Sequence, residues 1–465
     1  LETATQRLAD EFPNRGNAIE APLYASAQTW LRWERAAIGW KDHSDLLSDA
    51  EGAHRLPTRY LWEVARPQSV AEWDHYVALL DSLPGYLGQL EDRLRTRAAL
   101  RTLPPRQVLM RARTRCLAWL AGRPFTSLSS IQSPWQTHAL ERLEASTQLS
   151  QAERNRIADA INRALAQSVG PAYQSLAATL DNLNSQAPEE IGVAARTDGP
   201  TWYAYRLERI AGEPVDPADA HSLGLREVSR LRERLREWQQ AAGVTETTNA
   251  WLQTLREGED YPRADREAWS LAAERWIATS QERLDLAMPG LLLTPLPIQI
   301  LAADPDGSSP PLEYQPRDPA LEVHPGDWVS IPALCMEAWL AQSSVPGAHL
   351  RSAHTLPAKP LPILMRTMEL PSLEAGWDLY ATRLALEWKL YSGPEAELGQ
   401  ILCELWWAAQ LVVDTGIHHR SWTQEESEQY LANNSVFRRS LCQNAVRDIM
   451  ERPGARAAAT LGLQQ

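Results

Sequence analysis

The sequence predicts a mainly α-helical fold carrying one small β-sheet. Apolar residues recur every three or four positions through most of the chain, the spacing of one buried helix face. Several helix starts are spelled out by capping residues. One proline-rich stretch, from Met288 to about Pro332, breaks the pattern with short apolar runs such as Leu296–Ala302. That stretch is the expected place for strands.

Residues 1–190 read as successive amphipathic helices, clearest over Ser69–Leu83 and Ser150–Leu183, and are expected to form an N-terminal helical region. Pro104-Pro105 and Ser133-Pro134 punctuate it. Residues 191–465 form the second region, continuous with the first. Asp198-Gly199-Pro200 marks a turn into Thr201–Arg209, with three aromatics. Asp216-Pro217-Ala218-Asp219 offers an N-cap acid, proline at the first helical position and a further acid behind it. The stripe Leu225, Val228, Leu231, Leu235 and Trp238 marks the buried side of the helix that follows. Ser392-Gly393-Pro394 separates two later helices, Gly416 is expected to end the second, and Thr423–Glu426 is a capping box for the next.

A net charge of −13 argues against nucleic acid as a partner. No run is long and apolar enough to span a bilayer. The first residues have neither a basic start nor an apolar core and do not read as an intact signal peptide; a cytoplasmic location is expected, with the thiols in a reducing compartment. The four cysteines, Cys116, Cys335, Cys403 and Cys442, form no CxxC pair and read as buried thiols. No HExxH, GxSxG, phosphate-cradling loop or dinucleotide fingerprint is present, and no cofactor is expected. His418 and His419 are adjacent and make a poor chelate; His349 and His354, five apart, fit one helix face badly.

Three C-terminal segments carry more. GWDLYATRLALEW (376–388), LVVDTGIHHRSWTQEESEQYL (411–431) and RPGARAAATLG (452–462) resemble successive signatures of the bacterial domain-of-unknown-function 885 family. Zinc peptidase or amide hydrolase activity is ascribed to that group. GPTWYAYRLERIAGEPVDPADAHSLGLREVSRL (199–231) is similar to the family's stretch before the active site. The resemblance implies a zinc-peptidase-like, multi-helix scaffold with a deep central cleft and a small sheet beside the metal site. It also implies zinc held by a motif close to HExxPGHH and by a later glutamate in EGWALYAE.

Here the first motif falls on Gln342-Ser343-Ser344-Val345-Pro346-Gly347-Ala348-His349. The resemblance places Gln342 at the first ligand histidine, Ser343 at the general-base glutamate and Ala348 at the next histidine. Ala375 stands at the metal-binding glutamate and Thr382 at a second acid. Trp407 and Gln410 replace arginines, Ala459 replaces a tyrosine, and Asp448 replaces the tyrosine of an Arg-Tyr pair. A hydrolytic zinc site needs three ligands of His, Asp, Glu or Cys type, so the resemblance implies a member without the metal and without the activated water. Pro346, Gly347, His349, Gly376, Trp377, Leu379 and Tyr380 remain, and the pocket is expected to take something less polar than the family's substrates.

The first functional reading is therefore a metal-independent tailoring enzyme on this scaffold, acting on a small, fairly apolar specialised metabolite or amino-acid derivative. Its candidate catalytic groups are His349, Glu374, Asp378, Tyr380 and His418. Ser343, Ser344, Trp377, Trp407, Asp414 and Arg447 are candidate ligand contacts, and no metal ligand is assigned. Asp414 and His418 are also read as positioning groups. The second reading is a catalytically inactive protein binding a ligand or a partner protein in the old cleft, lined by some of Trp328, Trp339, Trp377, Trp388, Trp406, Trp407 and Trp422. A third keeps zinc on His349, His354 and an acid such as Glu337 or Glu369. Oligomeric state is not fixed by any of these.

Overall fold

The computed structural model describes residues 20–43, 46–48, 52–126, 129–257, 266–300, 312–315, 319–323, 332–355 and 369–465. It divides into two compact units: 42–199, and 200–465 joined by the chain before Asp42. The first helix belongs with the C-terminal part. That helix, α1 (Glu20–Gly39), is tied there by side chains. Trp33 Nε1 donates to Glu208 at 3.0 Å, Tyr205 donates its hydroxyl to Trp33 O at 3.1 Å, and Arg209 pairs with Glu34 at 2.9 Å.

The 42–199 unit contains α2 (Val70–Ala99), α3 (Arg106–Trp119), α4 (Pro134–Glu144), α5 (Gln151–Ala164) and α6 (Gly170–Leu183), with a π-helical turn, Leu165–Val169, joining the last two. Ser69 and Ser150 each close a full capping box with Glu72 and Glu153. Helix α2 runs well past Leu83, through Pro84. A proline there removes one backbone hydrogen bond, but Leu87, Leu90 and Leu94 continue the buried stripe and keep the helix going.

The second unit continues with α7 (Gly199–Ala211), α8 (Pro217–Ala241), α9 (Thr248–Glu257) and α10 (Arg266–Ala287). Asp216 caps α8 as its sequence announces, accepting from Ala218 N at 2.7 Å and Asp219 N at 3.3 Å. Along α8, Val228, Leu231 and Leu235 are buried, whereas Leu225 is 43% exposed. A three-stranded sheet follows, with β1 (Ile298–Ile300), β2 (Leu312–Gln315) and β3 (Ala320–Val323) in the order β1-β3-β2. The central β3 is parallel to β1 and antiparallel to β2. The proline-rich stretch thus holds the sheet.

Helices α11 (Met336–Ser343), α12 (Ala348–Thr355), α13 (Pro371–Glu387), α14 (Pro394–Arg420), α15 (Gln424–Asn433), α16 (Arg439–Glu451) and α17 (Ala458–Gln464) complete the chain. Almost every residue of α14 from Ala396 to His418 is buried, so it is the axis of this unit. Gly416 lies inside α14 and does not end it; Ser421, left-handed at φ 59°, is the C-cap. What Gly416 provides is room: a Cβ there would stand 2.5 Å from the Trp422 ring. Helices α13 and α17 cross where a Cβ on Gly376 would meet Gly462 at 2.4 Å. No helix among the described residues is long and apolar enough to cross a membrane.

Candidate functional site

Helices α11, α13 and α14 bring together the segments singled out from the sequence. Gln342 points from the end of α11 onto α14. Its amide nitrogen donates to Cys403 Sγ at 2.6 Å, and its oxygen accepts from Trp407 Nε1 at 3.1 Å. Arg456 lies over the Trp407 ring, 5.8 Å from its centre. Burial pushes the Cys403 thiol far above its usual range, so it offers no thiolate. Ser344 is fully buried and donates to Leu340 O at 2.6 Å, while Ser343 ends α11. Gly347 is required just beyond, since a Cβ would lie 2.0 Å from Gln342 O.

His349 is buried with both ring nitrogens engaged. One faces Thr294 O at 3.0 Å and the other Tyr314 Oη at 3.3 Å, which ties α12 to β2. Burial lowers its pKa, so the neutral ring donates to the carbonyl and accepts from the tyrosine. The side chain of His354 lies outside the described residues, as does Trp328. Glu337 accepts from Ser392 N at 2.9 Å. Among the described residues, no three His, Cys, Asp or Glu side chains converge as a metal site.

Asp378 and Glu374, one turn apart on α13, share Arg351 from α12. The guanidinium holds Asp378 in a fork at 3.1 and 3.0 Å and touches Glu374 at 3.1 Å. Burial pushes the Asp378 carboxyl up to about 6, against the pull of Arg351 and with help from Glu374. Beside them Trp377 donates to Pro346 O at 3.0 Å and meets Tyr380 with ring centres 5.9 Å apart. Thr382 is buried, within reach of Gln400 at 3.3 Å.

Asp414 and His418 lie in another part of α14. Asp414 accepts from Tyr203 Oη at 2.7 Å and from Gly454 N at 2.9 Å. One fully buried carboxylate thus pins three segments that resemble the family: 199–231, 411–431 and 452–462. Burial raises Asp414 to about 7 although those donors oppose it. His418 faces Ile449 O at 2.9 Å and packs against Tyr203, ring centres 5.2 Å apart. Arg447 donates to Gln443 O at 3.4 Å on its own helix. The indoles mostly serve packing, with Trp339 and Trp406 both edge-on to Phe437.

Three groups escaped the sequence reading. Arg351 and Tyr203 carry no motif that announces their partners. The third is a buried ion network: Glu404, 2% exposed, takes Arg383 at 2.7 Å through both oxygens and Arg230 at 3.2 Å. Only the tertiary pairing of α8, α13 and α14 reveals it. A polar surface groove of about 820 Å³ between α9, α15 and the start of α16 also went unsignalled.

No curated protein matches the chain at a significant level. Two solved structures share the fold. One, described as "the putative lipoprotein from Colwellia psychrerythraea", has a TM-score of 0.81 at 22% identity, covering 90% of this chain and 73% of that one. The other, "a putative lipoprotein of unknown function from Shewanella oneidensis", has a TM-score of 0.68 at 14% identity, covering 99% and 83%. The model of the family described as bacterial protein of unknown function (DUF885) matches residues 3–464, and the chain belongs to that family.

Proposed function

We propose that this protein is a metal-independent member of its family that binds a small, fairly apolar ligand on a zinc-hydrolase-like scaffold without hydrolysing it. One observation carries this reading. At the position where the resemblance puts the first zinc ligand, Gln342 is closed into a hydrogen-bonded plug with Trp407 and Cys403. An amide, the methyl groups of Ala348 and Ala375 and a thiol held protonated do not fit a zinc ion. Four of the five acid–base candidates are likewise engaged: His349 with Thr294 and Tyr314, His418 with Ile449, and Glu374 and Asp378 with Arg351. A general base needs a free lone pair aimed at substrate. Ligand binding without turnover therefore ranks above the tailoring enzyme, the reverse of the order that composition and motifs favour.

Metal content of protein purified without chelator tests it. Zinc well below one equivalent and a melting temperature unmoved by EDTA or added zinc are the expected results. Stoichiometric zinc that Gln342→Ala releases would sink the proposal.

The tailoring-enzyme reading retains one favourable observation, the buried Asp378 carboxyl raised to about 6 despite its fork with Arg351, a poise suited to proton transfer. If that reading holds, Asp378→Asn abolishes turnover of a metabolite made by neighbouring genes, and an unchanged rate removes Asp378 from the chemistry. Location is left between the cytoplasm and the cell envelope, to which the word lipoprotein in the relatives' descriptions points. Fractionation of the native host with an antibody separates the two.

A further inference from the structure

The polar groove of about 820 Å³ between α9, α15 and the start of α16 takes none of its lining from α11, α12, α13 or α14. Glu428 stands in its wall with only 8% of its surface exposed. Among the described residues its carboxylate accepts from the Gln424 amide at 2.6 Å and the Gln443 amide at 3.2 Å, and forms no ion pair. A carboxylate buried to this degree ordinarily has a cation against it. Here two neutral amides hold it, and the groove lies on its remaining side.

Through Gln443 the acid is tied to a positive charge. Gln443 follows Arg439 on α16 at i+4, so the two side chains leave one helix face about 5–6 Å apart at Cβ. Arg439 is exposed, lines the groove and has no hydrogen-bond or ion-pair partner among the described residues. Arg438, the N-cap residue of α16, and Ser440 line the same end. Glu425, one turn before Glu428 on α15, adds to the negative side. Acid and guanidinium therefore face the groove about one helix turn apart. One amino acid bridges such a gap with its ammonium and carboxylate; the ends of an extended peptide, at about 3.3–3.6 Å per residue, soon overshoot it.

Beyond the charges the groove is walled by carboxamides. Asn249 spends its oxygen on Arg232 at 2.6 Å, and Asn433 spends its own on Gln429 at 2.9 Å, which leaves each an amide N–H. Gln253 spends its nitrogen on Glu257 at 3.1 Å, and Gln429 on Asn433, which leaves each a carbonyl. Both walls thus offer a donor and an acceptor to a polar, uncharged group.

We propose that this groove binds a free amino acid with a polar, uncharged side chain, its ammonium on Glu428, its carboxylate on Arg439 and its side chain among the wall amides. The site is distinct from the one built on α11, α13 and α14 and stands apart from the function proposed above. Glu428 is its selective element, because a buried acid without a cation favours a ligand that brings one.

Calorimetric titration of the whole protein with L-glutamine, N-acetylglutamine, glutaminamide and norleucine is the test. Glutamine should bind saturably. N-acetylglutamine lacks the ammonium and glutaminamide the carboxylate, so each should bind at least about tenfold more weakly, the loss expected of one charge-assisted contact. Norleucine, with nothing to offer the wall amides, should also bind more weakly than glutamine. Glu428→Gln should lower glutamine affinity at least about tenfold. Should that buried change impair folding, Arg439→Ala at an exposed position serves alone: it should weaken glutamine to the level of glutaminamide and leave glutaminamide unchanged. Absence of saturable glutamine binding, equal affinity for N-acetylglutamine or norleucine, or glutamine affinity unchanged in Arg439→Ala overturns the proposal. Any of these results leaves the metal-free reading standing, since neither substitution touches Gln342, Cys403 or Trp407.

Discussion

Asp414 is a carboxylate sealed inside the main helix of its unit, facing the Tyr203 hydroxyl and the backbone of Gly454, with Asp448 close by. Arg456 and Arg452 hold Asp448 below the usual carboxylate range despite its burial. Asp414 forms no ion pair with an arginine among the described residues, and its carboxyl rises from 3.8 to about 7. A raised acid lends the fold stability while it is protonated. That contribution is complete below about pH 4 and is lost as pH climbs through 7. Asp414→Asn cannot titrate, so the melting temperature of wild type minus variant should fall between pH 4 and pH 7 and level off above it. A difference constant across that window would show that the carboxyl does not titrate there. At the same scale, Trp407→Phe removes the donor to Gln342 and leaves the amide oxygen short of a partner. The expected loss is about 1–3 kcal/mol in denaturant unfolding, and no loss would show that the plug holds without its indole.

Among the elements, the glycines divide sharply. Gly416→Ala drives a methyl group into the Trp422 ring and should cost about 1–3 kcal/mol. Gly85 and Gly88 in α2 have open space where a methyl group would stand, with no atom within 4 Å, so alanine at either should stabilise by about 0.5–1 kcal/mol. Chemical denaturation of the three variants checks both signs at once; a stabilising Gly416→Ala would refute the contact. Helix starts were readable because they are local. Ser133-Pro134, Asp216-Pro217 and Thr423 with Glu426 each act through residues within one turn. Helix ends were less so. Gly416 carries the chemistry of a stop signal, but the burial of α14 on both sides of it outweighs that local preference.

For the molecule as a whole, the 42–199 unit owns a continuous core running from Leu46 to Ala187. Expressed alone, residues 42–199 should give a helical circular dichroism spectrum and a cooperative melt. A fragment without a cooperative transition would show that its core depends on the rest of the chain. Ending the fragment at Gly199 matters, since that residue packs so closely on Val193 that a Cβ would lie 1.8 Å from its carbonyl oxygen. The first helix belongs elsewhere because Trp33, Glu34 and the backbone of α1 find their partners on α7.

Periodicity and capping, which act over a few residues, were enough to determine the helical class, the place of the small sheet and most helix starts. The segments resembling the family were legible too, because their residue types and order survive. Which groups meet was decided by the tertiary structure alone. Gln342 reaches Cys403 and Trp407 some sixty positions away, and Glu404 reaches Arg230 from 174 positions away. Along the chain His349 reads equally as a general base or as a histidine bonding backbone, and the fold surrounds it with Thr294 and Tyr314. Distance in space, burial and the orientation of a lone pair have no counterpart in linear spacing, so the fate of each ionisable group was fixed only when the helices packed.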